Sequence, residues 1–423
     1  MITSIPGLLD AIRNRFAHVE ACPFDGPRVF FENAGGALHL KSVVETSAAY
    51  AGYPDNQGRD NQASKALMAA IARGKADMRA FLNAAGGQVF VGESGTEVLF
   101  RLIRTAALGA RAGGIMLGST LEHPASRSAM ARYAGATGRA HVLAAHDNGT
   151  GSIDASAYLR HMTPEVRVAT IVQTSPVTGI AVDVAAIARA IRSASPGCFV
   201  IVDGIQHASH GHIDVQSYGI DGYAVSPYKV FSRHGYGVGW ASDRLTDLPK
   251  DALAGAAATS WELGTRDAGS YATFSDVVDY FVWLGGHFTK DADRRRRIEA
   301  AAKSIHDHEQ QLAHATMHGT GNLSGLAGIA GVSIIAGADN DGREGVVSFT
   351  LAGLASADLV SFLNSRGIRT HMRKADHYSG NVLEPLGLDS CVRVSFSHYN
   401  SEPEVARFLM AMHEAAETSS SRA

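Results

Sequence analysis

Short Val- and Ile-rich runs alternate along this chain with longer Ala-rich stretches whose apolar positions recur at helical spacing. In QVFVGESGTEVLFRLIRTAAL, a predicted strand from Gln88 to Val91 leads through a Gly/Ser/Thr turn into an apolar helix. The same order returns in GGIMLGSTLEHPASRSAMARYA, RVATIVQTSPVTGIAVDVAAIARAIR and CFVIVDGIQHASHGHIDVQSYG. Strands that alternate with helices predict an α/β sheet with helices on both of its faces.

Polar residues follow each of these predicted strands. Ligands of open parallel sheets bind beyond the carboxyl ends of the strands, so we expect the functional residues in these loops. A long helical stretch from about Asp267 to His308, with the charge run KDADRRRRIEA as a solvated face, is predicted to connect two domains. Beyond it, GVVSFTLAG, ASADLVSFLNSRGI and CVRVSFSHYNSEPEVARFLMAMHEAA predict a smaller α+β unit.

The domain prediction follows from this order of elements. Residues 1–28 form a lead-in whose helix packs on the small domain, and residues 29–285 form the large domain. Residues 286–415 form the small C-terminal domain, and the polar residues 416–423 form a disordered tail.

Composition narrows the class of protein. The chain has 423 residues, of which 45% are hydrophobic and 19% charged, and its net charge is −3. No basic excess indicates a nucleic-acid surface, and no apolar run reaches the roughly 20 residues that span a bilayer. The start, MITSIPGLLDAIRNRF, is amphipathic and unlike a signal peptide. We therefore predict a cytoplasmic protein that binds neither nucleic acid nor membrane, and its three cysteines are too few for a disulfide framework or a zinc site.

Asp203 and Lys229 are the first candidates for chemistry because each closes a Val- and Ile-rich strand. A lysine buried at a strand end is costly unless its charge is neutralised or its amine is used covalently. A Schiff base with pyridoxal phosphate does both, and that cofactor also needs a carboxylate against its ring nitrogen. A structural ion pair between Asp203 and Lys229 is the alternative interpretation.

Seven motifs occur in an order that resembles the fold-type I, class-V aminotransferases, and among them the cysteine desulfurases and selenocysteine lyases. The motifs are FFENAGG, GESGTEVLF, LEHPASR, TSPVTGIAVDVAAI, SPYK, WELGT and RVSFSHYNSEPEV. The resemblance covers nearly the whole chain. It implies a large domain with a mostly parallel seven-stranded sheet flanked by helices, together with the small α+β domain.

The resemblance also implies how a pyridoxal 5'-phosphate cofactor is held. Lys229 would form the Schiff base, Asp203 would bind the ring nitrogen, His123 would stack on the ring and relay a proton, and Gln206 would bind the phenolic oxygen. The phosphate would lie at the start of a helix, where free N–H groups favour an anion. Its expected ligands are Ser94, Gly95, Thr96, Ser226, Tyr228 and, from the neighbouring subunit, Thr265.

The substrate half of the predicted site departs from the family's pattern. Arg393 resembles the arginine that binds the substrate carboxylate, and Asn33 and His377 are further candidates for substrate contact. The loop RTHMRKADHYSGNVLEPLGL lacks the cysteine that desulfurases use to accept sulfur, and Pro176 stands where an Asn is usual. Desulfuration by the usual route is therefore disfavoured.

These residues predict a homodimer that acts on a small amino acid, with an active site shared between subunits. Lys229 would remove the Cα proton, to give a carbanion stabilised as a quinonoid, and transamination is the favoured outcome. A C–S lyase, a selenocysteine lyase or desulfurase-like β-eliminating enzyme, and an amino-acid epimerase remain open. A non-catalytic protein that binds pyridoxal phosphate is the alternative from another class.

Overall fold

The computed structural model describes residues 1–53 and 56–420, and none of the helices in these ranges is long and apolar enough to cross a membrane. The strands are β1 Ala21–Cys22, β2 Gly26–Pro27, β3 Val29–Phe30, β4 Gln88–Gly92, β5 Ile115–Ser119, β6 Ala140–Ala144, β7 Val166–Val172, β8 Phe199–Asp203, β9 Gly222–Val225, β10 Gly237–Ala241, β11 Gly319–Thr320, β12 Leu323–Ser324, β13 Val332–Ile334, β14 Val346–Leu351, β15 Ile368–Arg369, β16 His371–Lys374 and β17 Ser390–Ser395. The α-helices are α1 Leu8–Arg13, α2 Lys41–Ala51, α3 Gln62–Leu82, α4 Gly95–Gly109, α5 Pro124–Ala136, α6 Ala155–Leu159, α7 Val184–Ala194, α8 Val215–Tyr218, α9 Asp243–Thr246, α10 Ala268–Gly285, α11 Arg294–His318, α12 Ser356–Ser365, α13 Gly380–Leu383 and α14 Glu402–Ser420.

A seven-stranded sheet of order β4-β10-β9-β8-β7-β5-β6 forms the centre of the larger unit. Strands β9, β8, β7, β5 and β6 are parallel, and β10 is antiparallel to both β4 and β9. Both faces of the sheet are covered, because Val200 and Val202 of β8 lie in one hydrophobic cluster and Ile201 between them lies in another. The carboxyl ends of β4, β5, β7, β8 and β9 consequently meet at one edge.

The smaller unit is built on an antiparallel sheet of order β13-β14-β17-β16, against which α12 packs. Strand β3 pairs in parallel with β15, with Val29 opposite Ile368. Val29 and Phe31 therefore lie in the core of the smaller unit, although the sequence predicted that the large domain begins at residue 29. The lead-in helix was predicted to pack on the small domain, but Leu8 and Ile12 of α1 lie in the hydrophobic cluster of the large unit. The chain therefore begins on the large unit and crosses the smaller one at β3.

The helical stretch predicted from Asp267 to His308 consists of two helices, α10 and α11, separated by residues 286–293. Asp293 starts the second helix because its side chain accepts a hydrogen bond from the backbone N–H of Arg296. The arginine run is only partly solvated, since Arg295 donates to the backbone oxygens of Ala80 and Phe81. The long second helix contacts both cores, so no single residue near 286 separates the two units.

The predicted disordered tail over residues 416–423 is helical as far as Ser420, and residues 421–423 lie outside the described ranges. Ala415 and Ala416 continue the buried face of α14. The hydroxyl of Ser419 donates to the backbone oxygen of Ala352 at 2.9 Å. This packing outweighs the polar composition from which disorder was predicted.

Gly204 directly follows Asp203 and is packed against a rigid ring. A Cβ at this position would lie 2.0 Å from Cζ of the fully buried Tyr223, whose hydroxyl donates to Gln173 at 2.6 Å. We expect Gly204→Ala to lower the free energy of unfolding by about 3 kcal/mol, measured by urea denaturation. Gly197→Ala, before the same strand, meets nothing within 4 Å and should change it by less than about 0.5 kcal/mol. Equal values for the two variants would contradict this close packing.

Candidate active site

Two adjoining cavities open where the carboxyl ends of the parallel strands meet the smaller unit. The larger has a volume of about 650 Å³, and its lining residues include Glu32, His371, Arg373, Lys374, Asp376, Tyr378 and Arg393. The smaller reaches deeper into the sheet, and its lining residues include Thr96, Thr174, Asp203, Gln206 and Ser226. His123, Pro176, Tyr228 and Lys229 line both cavities.

Lys229 ends a short helical turn that follows β9, and its side chain is almost entirely buried. Its Nζ donates a hydrogen bond to Oε1 of Gln206 at 2.9 Å. Burial, with repulsion from Arg393, lowers the pKa of Lys229 to about 7. A fraction of the amine is therefore neutral near pH 7 and can act as a nucleophile or a base.

Asp203 is the last residue of β8, and its Oδ1 accepts a hydrogen bond from the backbone N–H of Ile205 at 3.1 Å. Burial raises the pKa of this carboxyl group to about 6. Within the described ranges no lysine, arginine or histidine nitrogen lies within 4.0 Å of it. The alternative of a structural ion pair with Lys229 is therefore wrong, and both groups remain available to the cavity.

The predicted phosphate segment forms the start of α4. The Ser94 hydroxyl accepts from the backbone N–H of Glu97 at 3.1 Å, so it caps the helix, and Thr96 faces the smaller cavity. Gly95 lies so close to Ser226 that a Cβ would be 2.2 Å from the serine Oγ. The N–H groups of a first helical turn have no partner within the helix, which makes this end suitable for an anion.

His123 precedes α5, caps this helix and also lines the cavities. Its Nδ1 accepts from the backbone N–H of Ala125 at 3.2 Å, and its ring lines both cavities. Burial, with repulsion from Lys229, lowers the pKa of His123 to about 3. The imidazole is therefore neutral at physiological pH and presents an uncharged face to the cavity.

Tyr228, immediately before the lysine, stacks on His234 with the ring centroids 4.3 Å apart and an angle of 13° between the planes. Its ring also lies against Gly36, where a Cβ would be 3.4 Å away. These contacts hold the tyrosine between the two cavities. Its phenol is placed beside Ser226, the other candidate for a phosphate contact.

Arg393 projects from β17 into the larger cavity although it is almost completely buried. Its Nη1 donates to the backbone oxygen of Pro176 at 2.8 Å, and its Nε has no hydrogen-bond partner among the described residues. Burial, with repulsion from Arg373, lowers the pKa of Arg393 to about 9. Pro176 thus lacks a side-chain donor but orients the arginine through its carbonyl group. An anion in the cavity would compensate the buried guanidinium.

Three predicted site residues lie elsewhere in this chain. Asn33 is buried between the two units, where its amide donates to the backbone oxygen of Ser395 at 2.8 Å and its Oδ1 accepts from the Tyr399 hydroxyl. It therefore joins the entry turn to the segment after β17 and does not line the cavity. His377 is exposed, and its ring contacts the tilted ring of Tyr378, which faces the cavity in its place. Thr265 lies in an exposed loop and contacts neither cavity.

The sequence analysis missed Glu32 and His371 as lining residues. Strand pairing places His371 opposite Arg393, and the His371 Nδ1 lies 3.2 Å from the Glu32 carboxylate. Pairing of β16 with β17 could not be inferred from local patterns, because residues 375–389, which include α13, separate the two strands. Alternation along β16 then places Arg373 on the same face.

Cys391 remains unsuited to sulfur transfer. It lies opposite Arg373 in the sheet and is fully buried, and burial raises the pKa of its thiol to about 11. A buried, protonated thiol is a poor nucleophile. The loop that lines the cavity beyond β16 carries Asp376 and Tyr378 rather than a cysteine.

Comparison with known proteins gives consistent matches along the chain. The family model described as "Aminotransferase class-V" matches residues 29–408. A "Probable cysteine desulfurase" of Xylella fastidiosa (strain 9a5c) is 27% identical over 95% of this chain and 94% of the relative. Among solved structures, the cysteine desulfurase CsdA of Escherichia coli superposes with a TM-score of 0.78 at 24% identity, over 97% of this chain and 98% of that one. The cysteine desulfurase of Thermococcus onnurineus NA1 gives a TM-score of 0.80 at 20% identity, over 92% and 95%.

Proposed function

This chain belongs to the class-V aminotransferase family of pyridoxal-phosphate-dependent enzymes, and from that premise we propose that it moves the Cα proton of a small α-amino acid. Membership confirms the resemblance seen in the sequence, the fold-type I architecture and the cofactor. The observation that carries the proposal is the buried Lys229 amine, which faces both cavities between Asp203 and Arg393.

The residues present fit pyridoxal 5'-phosphate. Asp203 supplies a buried carboxyl group for the ring nitrogen, and no cationic side chain of the described residues lies within 4.0 Å of it. Lys229 supplies the amine for covalent attachment. Ser226, Tyr228 and the first turn of α4 would hold the phosphate. When bound, the cofactor withdraws electrons from the substrate Cα and carries its amino group, which is chemistry that these side chains alone lack.

Each side chain then has a defined task. The Lys229 amine would take the proton from the substrate Cα. Arg393 binds the substrate carboxylate through its guanidinium, of which Nε is unpaired in the described structure. His123, which is neutral, packs against the cofactor ring without repelling the protonated ring nitrogen.

We propose transamination as the overall reaction, in which the substrate leaves as a keto acid. The buried, protonated thiol of Cys391 and the cysteine-free loop argue against a persulfide on this chain. Among the residues that the structure describes, Lys229 is the one lysine that lines both cavities. A single base can deliver a proton to a second position after taking it from Cα.

A second candidate is β-elimination from a sulfur-containing amino acid, with sulfide rather than a persulfide as the sulfur product. The observation that favours it is the name of the relatives, which are cysteine desulfurases. Tyr378 lines the cavity and lies 5.8 Å from His123 between ring centroids, where its hydroxyl could protonate a leaving thiolate. The same Cα deprotonation by Lys229 would begin this reaction.

A homodimer is part of the proposal, with Thr265 of each subunit completing the phosphate site of the other. The support is that Thr265 is exposed within its own subunit and carries a hydroxyl suited to phosphate. Neighbouring Arg266 pairs with Glu93, the residue before Ser94, which holds the loop near the start of α4. Loss of phosphate affinity on dilution to monomer would be the expected behaviour.

Incubating the holoenzyme with alanine, serine, aspartate and cysteine tests the reaction. Transamination predicts one equivalent of pyridoxamine phosphate and keto acid when no second keto acid is present. Elimination predicts continuous release of pyruvate and ammonia, with sulfide from cysteine and no change of cofactor form. Cys391→Ser should leave either product pattern unchanged, because its thiol is fully buried and does not line either cavity.

Several outcomes would contradict the proposal. If the purified protein bound no pyridoxal phosphate, the proposed function would have no basis. If the holoenzyme exchanged the Cα deuterium of none of the labelled amino acids tested, the proposed reaction class would be excluded. A persulfide on Cys391, detected by alkylation and mass spectrometry, would restore the desulfurase mechanism.

A further inference from the structure

A buried chain of hydrogen bonds leads from Lys229 away from the cavities. Lys229 Nζ donates to Gln206 Oε1 at 2.9 Å, and Gln206 Nε2 lies 3.1 Å from Nε2 of His210. His210 Nδ1 lies 2.6 Å from Oε2 of Glu309, a residue of α11. All four side chains are at least nine-tenths buried, so bulk water does not exchange freely along this chain.

The donor and acceptor pattern of this chain admits two arrangements. In the first arrangement, Gln206 Oε1 accepts from the Lys229 ammonium and the amide NH2 faces His210. His210 Nε2 must then be unprotonated, so its one proton lies on Nδ1, toward Glu309. If His210 is doubly protonated, its Nε2–H requires the amide oxygen instead. The amide NH2 then faces Lys229, which must be a neutral amine to accept it.

We propose that His210 is a positioning residue for Lys229. Through the Gln206 amide, only one of His210 and Lys229 can carry its extra proton, and Glu309 determines how strongly His210 competes for it. Loss of a proton from Lys229 thereby permits His210 to take up a second proton, once the Gln206 amide is reversed. The inference rests on the proposed function only for the identity of Lys229 as the reactive amine.

The surrounding charges agree with this competition. Burial acts to lower the pKa of His210, but attraction to Glu309 outweighs it and the pKa is raised, whereas the pKa of Lys229 is lowered. The other titratable groups that act on His210 or are affected by it are Glu344 before β14 and His398 after β17. Those that act on Lys229 or are affected by it are Asp203, Arg393, Arg373 and His123.

A neighbouring pair provides a matched control. His207 Nδ1 lies 2.7 Å from Glu344 Oε1, and both side chains are buried like the first pair. His207 bonds to Thr174 and to the backbone of His212, with no bond to Gln206 or Lys229 recorded within the described part of the chain. Glu344→Gln therefore removes a similar buried charge that acts on His210 only through space, and it breaks no hydrogen bond of the chain that ends at Lys229.

The sign of one pKa shift tests the inference. In the full chain freed of cofactor, the pKa of Lys229 is measured by trace acetylation with acetic anhydride across pH, followed by peptide mass spectrometry. Glu309→Gln weakens His210 as a competitor, so the pKa of Lys229 should rise by about one pH unit. Simple loss of a negative charge predicts a fall, as for Glu344→Gln.

The link through the amide is tested in a second background. With Gln206→Leu, Glu309→Gln should no longer raise the pKa of Lys229. His210→Leu, which removes the competitor itself, should raise it as Glu309→Gln does, so the test does not depend on the folding of one variant. A fall or no change in both variants would overturn the inference. The labelling needs no cofactor, so its outcome is independent of whether the proposed reaction is correct.

Discussion

Lys229→Ala should abolish covalent attachment of pyridoxal phosphate and reduce turnover by roughly a thousandfold or more. The physical reason is that one amine both carries the cofactor and moves the Cα proton, and no other described amine faces both cavities. Borohydride reduction of the holoenzyme followed by peptide mass spectrometry measures the attachment. Loss of the visible absorption band of the bound cofactor provides a second measurement.

Lys374→Ala is the matched control for this experiment. Lys374 lines only the larger cavity and is exposed at its rim, so this variant should still carry the cofactor on Lys229. If borohydride labels Lys374 in the wild type, or if Lys229→Ala retains full turnover, the assignment of the reactive amine is incorrect.

Asp203→Asn should retain covalent attachment on Lys229 but lower turnover by roughly a hundred- to a thousandfold. An amide cannot stabilise the protonated ring nitrogen as a carboxylate does, and that proton makes the ring an electron acceptor. Steady-state kinetics with the best substrate of the amino-acid panel measures the loss. Asp221→Asn, a change of a buried carboxylate at the opposite end of the same strands, separates this effect from general instability.

Although Asp203→Asn should lower turnover, we expect it to raise the free energy of unfolding of the cofactor-free chain. Burial raises the pKa of Asp203 to about 6, so its carboxylate form destabilises the fold. This penalty is absent below the unfolded pKa, grows as pH rises from the unfolded to the folded pKa, and is complete above the folded pKa. Above pH 6, cofactor-free Asp203→Asn should be more stable than wild type by up to about 3 kcal/mol. Urea denaturation at pH 5 and pH 8 measures the difference in the free energy of unfolding between variant and wild type. A smaller advantage of the variant at pH 8 than at pH 5 would contradict this prediction.

Local patterns were sufficient for much of the large domain. Alternating apolar runs correctly indicated β4, β8 and the helices that follow them, because buried parallel strands need apolar residues on both faces. The position of Asp203 at the end of β8 followed from the same patterns. Lys229 was predicted to close a strand, but it lies in a short helical turn after β9, because the strand ends at Val225. In contrast, the helical stretch predicted from Asp267 to His308 is divided into two helices, and Gly285 at the end of α10 allows close contact with the backbone of Arg297.

The proposed cofactor contacts could be named from the sequence through its resemblance to the family, because they lie within a few positions of strand ends and helix starts whose geometry is local. The substrate half depended on tertiary structure. Pairing of β16 with β17 brings His371 beside Arg393, and packing of α11 brings Glu309 to His210, from positions 99 residues apart in the chain. No local pattern encodes which distant strand or helix will meet, because that choice depends on burial of whole faces rather than on neighbouring residues.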